Sequence, residues 1–285
     1  VSERTWTIRD VLDWATKDFE ARGIESPRLD AELIVANALG IDRIGLYLDL
    51  GRPLLEAERS AIRPLVMRRR DREPVAYILG YRDFYGRRFE VTSDVLIPRP
   101  DTETLIEHAL RLIPSDSGSR VIDVGTGSGA IAITIAAERP LAEVTATDIS
   151  ERALAVAARN ASALDVGERI RFEHADLFDS KGPFDFVLSN PPYISAADLK
   201  GLEAEVRVHE PNTALEGGDD GLNVVRALIA EAGSATTRGA QILMEIGAGQ
   251  APDVASIAEH STNWKHVETY QDINRIERVV HLRRT

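Results

Sequence analysis

Hydrophobic positions recur every three or four residues through the first eighty positions, and from Ser119 onward they gather into short solid runs. The first pattern predicts helices and the second predicts strands buried on both faces. Thr7 with Asp10 forms a capping-box signal, after which Ile8, Val11, Leu12, Ala15 and Phe19 keep helical spacing to Gly23. Ser26-Pro27 with Asp30 opens a second helix, whose Leu29, Leu33, Ala36 and Leu39 run to Gly40. A short apolar segment from Ile44 to Leu50 follows, then a longer helix from Leu55 to Arg70 with Pro64 as an expected kink. Pro74 opens a last short helix that ends at Gly80.

Residues 81–98 alternate around Gly86, with Phe84 and Tyr85 before it and Phe89 and Val91 after, which predicts a β-hairpin. Pro98-Arg99-Pro100 stops it, and Asp101 or Thr102 is placed to cap a helix from Thr104 to Leu112. Beyond Ser119, strands alternate with alanine-rich helices such as Ala130–Arg139 and Arg152–Leu164. The expected strands are Arg120–Val124, Glu143–Thr147, Ile170–Glu173, Phe184–Ser189, Gln241–Glu245, His266–Thr269 and Arg278–Leu282. That alternation is the mark of an α/β, doubly wound, mostly parallel sheet. The expected domains are therefore a helical unit at 1–80, a hairpin linker at 81–98 and a sheet domain at 99–285.

Composition narrows the chemistry. The chain has 285 residues, enough for one large or two ordinary domains. Without cysteine it has no disulfides, no thiolate nucleophile and no Cys-bound zinc. The six histidines lack metal-ligand spacing, so no metal site is expected. Val1-Ser2-Glu3-Arg4-Thr5-Trp6 shows no signal-peptide core, and no later run is long enough to span a bilayer, so a cytoplasmic protein is expected. A net charge of −12 speaks against a protein that tracks along nucleic acid. The local exception is the arginine cluster from Arg59 to Arg88, a solvated face or a meeting point for an acidic partner.

Two stretches carry candidate chemistry. Asp123-Val124-Gly125-Thr126-Gly127-Ser128-Gly129 follows the first sheet strand and opens a helix. Glycines there permit a sharp turn and close approach to a ligand faced by helix-terminal N–H groups. Asp148, at the end of the next strand, is placed to accept hydrogen bonds from both ribose hydroxyls. No Lys or Arg stands beside it to receive a 2′-phosphate, which disfavours NADP. The second stretch is Asn190-Pro191-Pro192-Tyr193, delivered by the apolar run Phe184–Ser189. Consecutive prolines force the chain out of the sheet in an extended geometry. The Asn190 side-chain oxygen and a carbonyl between the prolines suit the two N–H bonds of a planar NH2 group, and Tyr193 can cover a flat substrate face. The plain structural reading is a proline-rich turn after a strand.

The G-x-G-x-G spacing resembles the class I S-adenosylmethionine-dependent methyltransferases. In that family Asp123 and the loop of Gly125, Thr126, Gly127, Ser128 and Gly129 would surround the methionine part of the cofactor. Asp176 would reach the adenine amino group, with Leu177 beside it where some members place an aromatic residue; a helix cap is the other reading for Asp176. Pro74 to Gly80, Leu96 to Glu103, Glu210 to Leu222 and Asp272 to Arg278 add a resemblance, over nearly the whole chain, to the HemK-type release-factor glutamine N5-methyltransferases. The resemblance implies a Rossmann-like sheet of seven strands with a small helical domain for substrate recognition. It implies S-adenosyl-L-methionine as cofactor, S-adenosyl-L-homocysteine as product, and class-one peptide chain release factors as protein partners. Asn190, Pro191 and Tyr193 would carry the methyl transfer, Pro192 would join them in binding substrate, and Asn190 would also meet the cofactor. The alternative is an N6-adenine or N2-guanine nucleic-acid methyltransferase, which would use the same tetrapeptide on a base amino group.

Overall fold

The computed structural model describes residues 5–178 and 182–285; Val1 to Arg4, part of the stretch searched above for a signal-peptide core, lie outside them. The chain divides into two compact units, residues 1–81 with 204–209, and residues 82–203 with 210–285.

The first unit is helical, with helices Ile8–Ala21, Pro27–Leu39, Arg43–Leu48, Glu56–Arg70 and Val75–Leu79. The Thr7 capping box forms, Thr7 accepting from the Asp10 amide while Asp10 accepts from the Thr7 amide. The helix Glu56–Arg70 continues through Pro64. Ile8, Leu12, Phe19, Ile34, Leu46 and Ile62 are among the residues that fill the core. The second helix departs from the expected face. Leu29 is exposed, whereas Asp30 and Glu32 are buried beside Ala31, Ile34 and Val35. Ion pairs account for the rotation: Asp30 accepts from the buried Arg69 guanidinium at 2.7 Å, and Glu32 accepts from Arg28 and Arg43, each at 2.7 Å. Arg69 also reaches Glu205 at 3.0 Å, which fastens the short helix Ala204–His209 to this unit. The arginine cluster is largely neutralised in place. Arg59, Arg68, Arg69, Arg70, Arg72, Arg87 and Arg88 each pair with a carboxylate.

A hairpin follows the last of these helices, β1 (Tyr81–Phe84) and β2 (Arg87–Glu90), turning through Tyr85 and Gly86 at positive φ. The main sheet has seven strands: β3 (Arg120–Val124), β4 (Glu143–Asp148), β5 (Ile170–His174), β6 (Phe184–Ser189), β7 (Thr236–Glu245), β8 (Trp264–Gln271) and β9 (Glu277–Arg284). Their spatial order is β5-β4-β3-β6-β7-β9-β8; the first five run parallel and β9 is antiparallel to both β7 and β8. Successive side chains go to opposite faces, so a continuous apolar run feeds two cores. Val121, Leu188 and Leu243 enter one core, while Ile122, Val187, Ile242 and Met244 enter the other. The helix Ala130–Glu138 is buried over its first seven residues, which explains why its sequence is apolar on every side. No helix among the described residues is long and apolar enough to cross a membrane.

The chain leaves β3 outward to β4 and β5, then returns to place β6 on the other flank of β3. Strand order reverses there, and a crevice opens at the carboxyl ends of the strands. Val124 pairs with Ser189 in register, so Gly125 and Asn190 are the residues that leave the sheet side by side.

Candidate active site

The glycine loop is stapled before it turns. The Gly125 and Thr126 amides both donate to the Thr147 carbonyl at 2.9 Å. The Asp123 carboxylate, fully buried, accepts from the Thr126 hydroxyl at 2.6 Å and the Ala132 amide at 3.1 Å through Oδ2. Its Oδ1 has no partner among the described residues, and burial pushes its pKa up to about 7. The three glycines divide by purpose. Gly125 and Gly127 have φ of 75° and 56°, and a β-carbon on either would stand in open space. At Gly129, with φ of 85°, a β-carbon would lie 2.7 Å from Ile133 and 3.2 Å from Ala157, so this glycine serves helix packing.

The loop forms one wall of a cleft of about 460 Å³. Gly125, Thr126, Gly127, Ser128, Asp148, Asp176, Leu177, Asn190, Pro191 and Pro192 all line it, whereas Asp123, Gly129 and Tyr193 do not. Asp148 holds the Gly127 and Ser150 amides at 2.9 Å, one on each oxygen, and burial raises its pKa. Each oxygen keeps a further lone pair for a ligand hydroxyl. Leu177 has φ of 64°, and its carbonyl accepts from the Thr147 hydroxyl at 3.0 Å. Asp176 is exposed, and no helix begins at it among the described residues. An acid, Asp148, beside a glycine loop whose Gly125 and Gly127 leave room for close approach fits a ligand with a nucleoside part.

Asn190-Pro191-Pro192-Tyr193 is clamped from outside by residues 215–223. Ile194 donates to the Leu215 carbonyl at 3.0 Å and its carbonyl accepts from the Gly217 amide at 2.9 Å. A β-carbon on Gly217 would lie 2.7 Å from the Pro192 carbonyl oxygen, and one on Gly221 would lie 2.3 Å from that of Tyr193. Gln250 adds a hydrogen bond to the Tyr193 carbonyl at 3.0 Å. Neither the Pro191 carbonyl nor Asn190 Oδ1 receives a hydrogen bond among the described residues. Both acceptors are therefore unengaged by the described residues, and both residues line the cleft.

Behind the turn the structure departs from expectation. The Tyr193 hydroxyl donates to Glu245 Oε1 at 3.2 Å, so Tyr193 supports the turn from behind instead of forming the cleft wall. Burial, with the Glu245 charge, raises its pKa. Thr102 does not cap its helix, which begins at Thr102 itself; its hydroxyl donates to Glu245 Oε2 at 2.6 Å and accepts from Asn190 Nδ2 at 3.2 Å. Asp101 pairs with Arg278 at 3.3 Å. Arg99 pairs with the buried Glu210 at 2.6 Å, and Glu210 also takes the Ile97 amide, which joins two motifs at the cleft rim. Glu245 escaped the sequence reading because it ends a strand in a run that reads as plain core.

Residues 10–80 match the PrmC N-terminal domain family, and residues 101–218 match the methyltransferase small domain family. A release factor glutamine methyltransferase of Geobacter sulfurreducens is 44% identical over 96% of this chain and 96% of its own length. One of Rhodopirellula baltica is 38% identical over 99% of this chain and 98% of its own. Among solved structures, a methyltransferase from Pyrococcus furiosus aligns with a TM-score of 0.52 over 70% of this chain and 90% of its own, at 16% identity, a likeness of fold.

Gly221→Ala is expected to destabilise the protein by about 1–3 kcal/mol, since its φ of 78° and the Tyr193 carbonyl both resist a β-carbon. Urea unfolding with an unchanged midpoint would show that the turn is not clamped as described.

Proposed function

This chain belongs to the release factor glutamine methyltransferases, and from that premise we propose that it transfers one methyl group from S-adenosylmethionine to the side-chain nitrogen of the glutamine in the Gly-Gly-Gln loop of class-one release factors. The observation that carries the proposal is the pair of available acceptors, Asn190 Oδ1 and the Pro191 carbonyl, beside the glycine cradle. When bound, S-adenosylmethionine supplies an electrophilic methyl on a positively charged sulfur.

Gly125, Thr126, Gly127 and Ser128 would hold the methionine part, with Asp123, buried behind them and outside the cleft lining, fixing the loop through Thr126. Asp148 takes the ribose hydroxyls; Asp176 and Leu177 flank the adenine. An amide nitrogen is a poor nucleophile because its lone pair is shared with the carbonyl. Asn190 and the Pro191 carbonyl each accept one N–H, which fixes the NH2 plane and turns the lone pair toward the reacting carbon. Alignment of this kind is worth about 7–11 kcal/mol in favourable intramolecular cases. Both acceptors bond more strongly as the nitrogen becomes positive, so they favour the transition state over the bound substrate. The surplus proton is lost from that nitrogen after transfer, when it has become acidic, and no side chain is assigned as base. Pro192 and Tyr193 keep the turn rigid. The helical unit is assigned to recognition of the protein substrate, and its exposed Ile44 and Leu48, one turn apart, offer an apolar face for that purpose. The reaction belongs to the cytoplasm, where release factors act. Nucleic acid as substrate is disfavoured by the −12 charge and by the paired arginines of the one basic stretch.

Mass spectrometry of a release factor incubated with the protein and cofactor is expected to show one added methyl on that glutamine, and none when the glutamine is replaced by asparagine. Methyl on adenine or guanine, with the release factor unmodified, would overturn the proposal. Asp148→Ala is expected to weaken cofactor binding by about tenfold to hundredfold, through loss of charge-assisted bonds to ribose. Calorimetry giving wild-type affinity for the folded variant would remove Asp148 from the site.

A further inference from the structure

The Asn190 amide has two chemically opposite ends, and only one of them can accept from a substrate NH2. Which end faces the cleft is decided by Thr102, which lines the cleft beside Asn190, and by Glu245 behind it. Glu245, 1% exposed at the end of β7, is held between the Thr102 hydroxyl at 2.6 Å and the Tyr193 hydroxyl at 3.2 Å. Register places it beside Asn190, because Ser189 pairs with Met244. An ionised carboxylate accepts only, so the single Thr102 proton must point at Glu245. The Thr102 oxygen then has lone pairs alone to offer, and it takes the Asn190 NH2 group at 3.2 Å. Oδ1 is thereby left for the cleft.

We infer that Thr102 and Glu245 are positioning residues for methyl transfer: together they fix the orientation of the Asn190 amide, and so make this site an acceptor for a primary amide. The inference rests on the proposed role of Asn190. It does not depend on either residue touching substrate or cofactor.

The chain of bonds has a direction that reverses with one proton. When Glu245 is protonated it can donate to Thr102, whose own proton is released toward Asn190. The amide can then turn its NH2 group to the cleft, where it meets the substrate NH2 donor to donor. The groups around Glu245 favour such protonation at higher pH than usual. Burial raises its pKa first, the Thr102 and Tyr193 hydrogen bonds oppose this, and nearby Asp101 and Arg278 raise and lower it respectively. Activity is therefore lost as pH falls through the Glu245 pKa, on the alkaline side of the ordinary carboxylate range.

The test uses the full-length protein with saturating cofactor and a release factor. Thr102→Val is expected to lower kcat by about tenfold to hundredfold, the effect of losing one well-placed buried hydrogen bond. Thr102→Ser, which keeps the hydroxyl, is expected to restore most of it. Glu245→Gln is expected to lower kcat and to remove the acid limb from kcat, because the Asn190 amide is then no longer coupled through Thr102 to a titrating group. Asp123 and Asp148 belong to the cofactor end, which is saturated in this assay. Without cofactor, nuclear Overhauser contacts from the Asn190 Nδ2 protons to the Thr102 side chain are expected above the acid limb and should fade below it. A wild-type kcat for Thr102→Val, failure of Thr102→Ser to restore activity, or an acid limb unchanged in Glu245→Gln would overturn the inference. Asn190→Ala separates it from the reading beneath. Normal turnover there would remove the role of Asn190, whereas loss there with full turnover in Thr102→Val would remove only the positioning.

Discussion

The parallel register of β3 against β6 is the constraint on which the site depends. Val124 opposite Ser189 means that two unrelated loops leave the sheet at one level, and the Ser189 hydroxyl ties the strand ends together by donating to the Val124 carbonyl at 2.8 Å. A shift of one residue would turn every side chain of β6 to the opposite face. Phe186 and Leu188 lie in one core and Val187 in the other, so such a slip would disturb both cores at once. Hydrophobic burial on two faces thus holds a nucleoside cradle and an amide acceptor within reach of each other.

Around that register the structure uses rigidity where the chemistry has no reactive side chain to offer. Two prolines remove backbone freedom from the turn, and Gly217 and Gly221 let a second loop press against its carbonyls. Behind it lies a carboxylate that is costly to bury, kept there by two hydroxyl donors. Its presence is explained by direction. An apolar replacement would pack well, but it could not tell Thr102 which way to point its proton.

Much of this was legible in the sequence, for physical reasons that differ by element. Arg120–Val124 and Phe184–Ser189 have the bounds their patterns predict, the first a short apolar run ended by Gly125, the second opened after Gly182-Pro183 and closed by Asn190-Pro191. The two antiparallel strands are longer than their apolar centres predict, Trp264–Gln271 and Glu277–Arg284 extending into polar residues that an antiparallel pair tolerates. The face of the second helix was misread because Asp30 is buried by an arginine 39 residues away, and periodicity carries no trace of that partner. Thr102 read as a cap for a similar reason: its partners Asn190 and Glu245 are 88 and 143 residues distant. Gly129 followed the motif, yet its constraint comes from Ile133 and Ala157 instead of a ligand. Local chemistry was readable; long-range polar pairing was not.

The central claim is that this turn receives a primary amide through two acceptors. It is tested most directly by a crystal structure of the protein with S-adenosylhomocysteine and a Gly-Gly-Gln peptide. The account predicts the glutamine nitrogen at about 2.7–3.2 Å from both Asn190 Oδ1 and the Pro191 carbonyl oxygen, with Asn190 Nδ2 still on Thr102. A glutamine bound elsewhere in the cleft, or an Asn190 amide turned to donate toward it, would contradict the account.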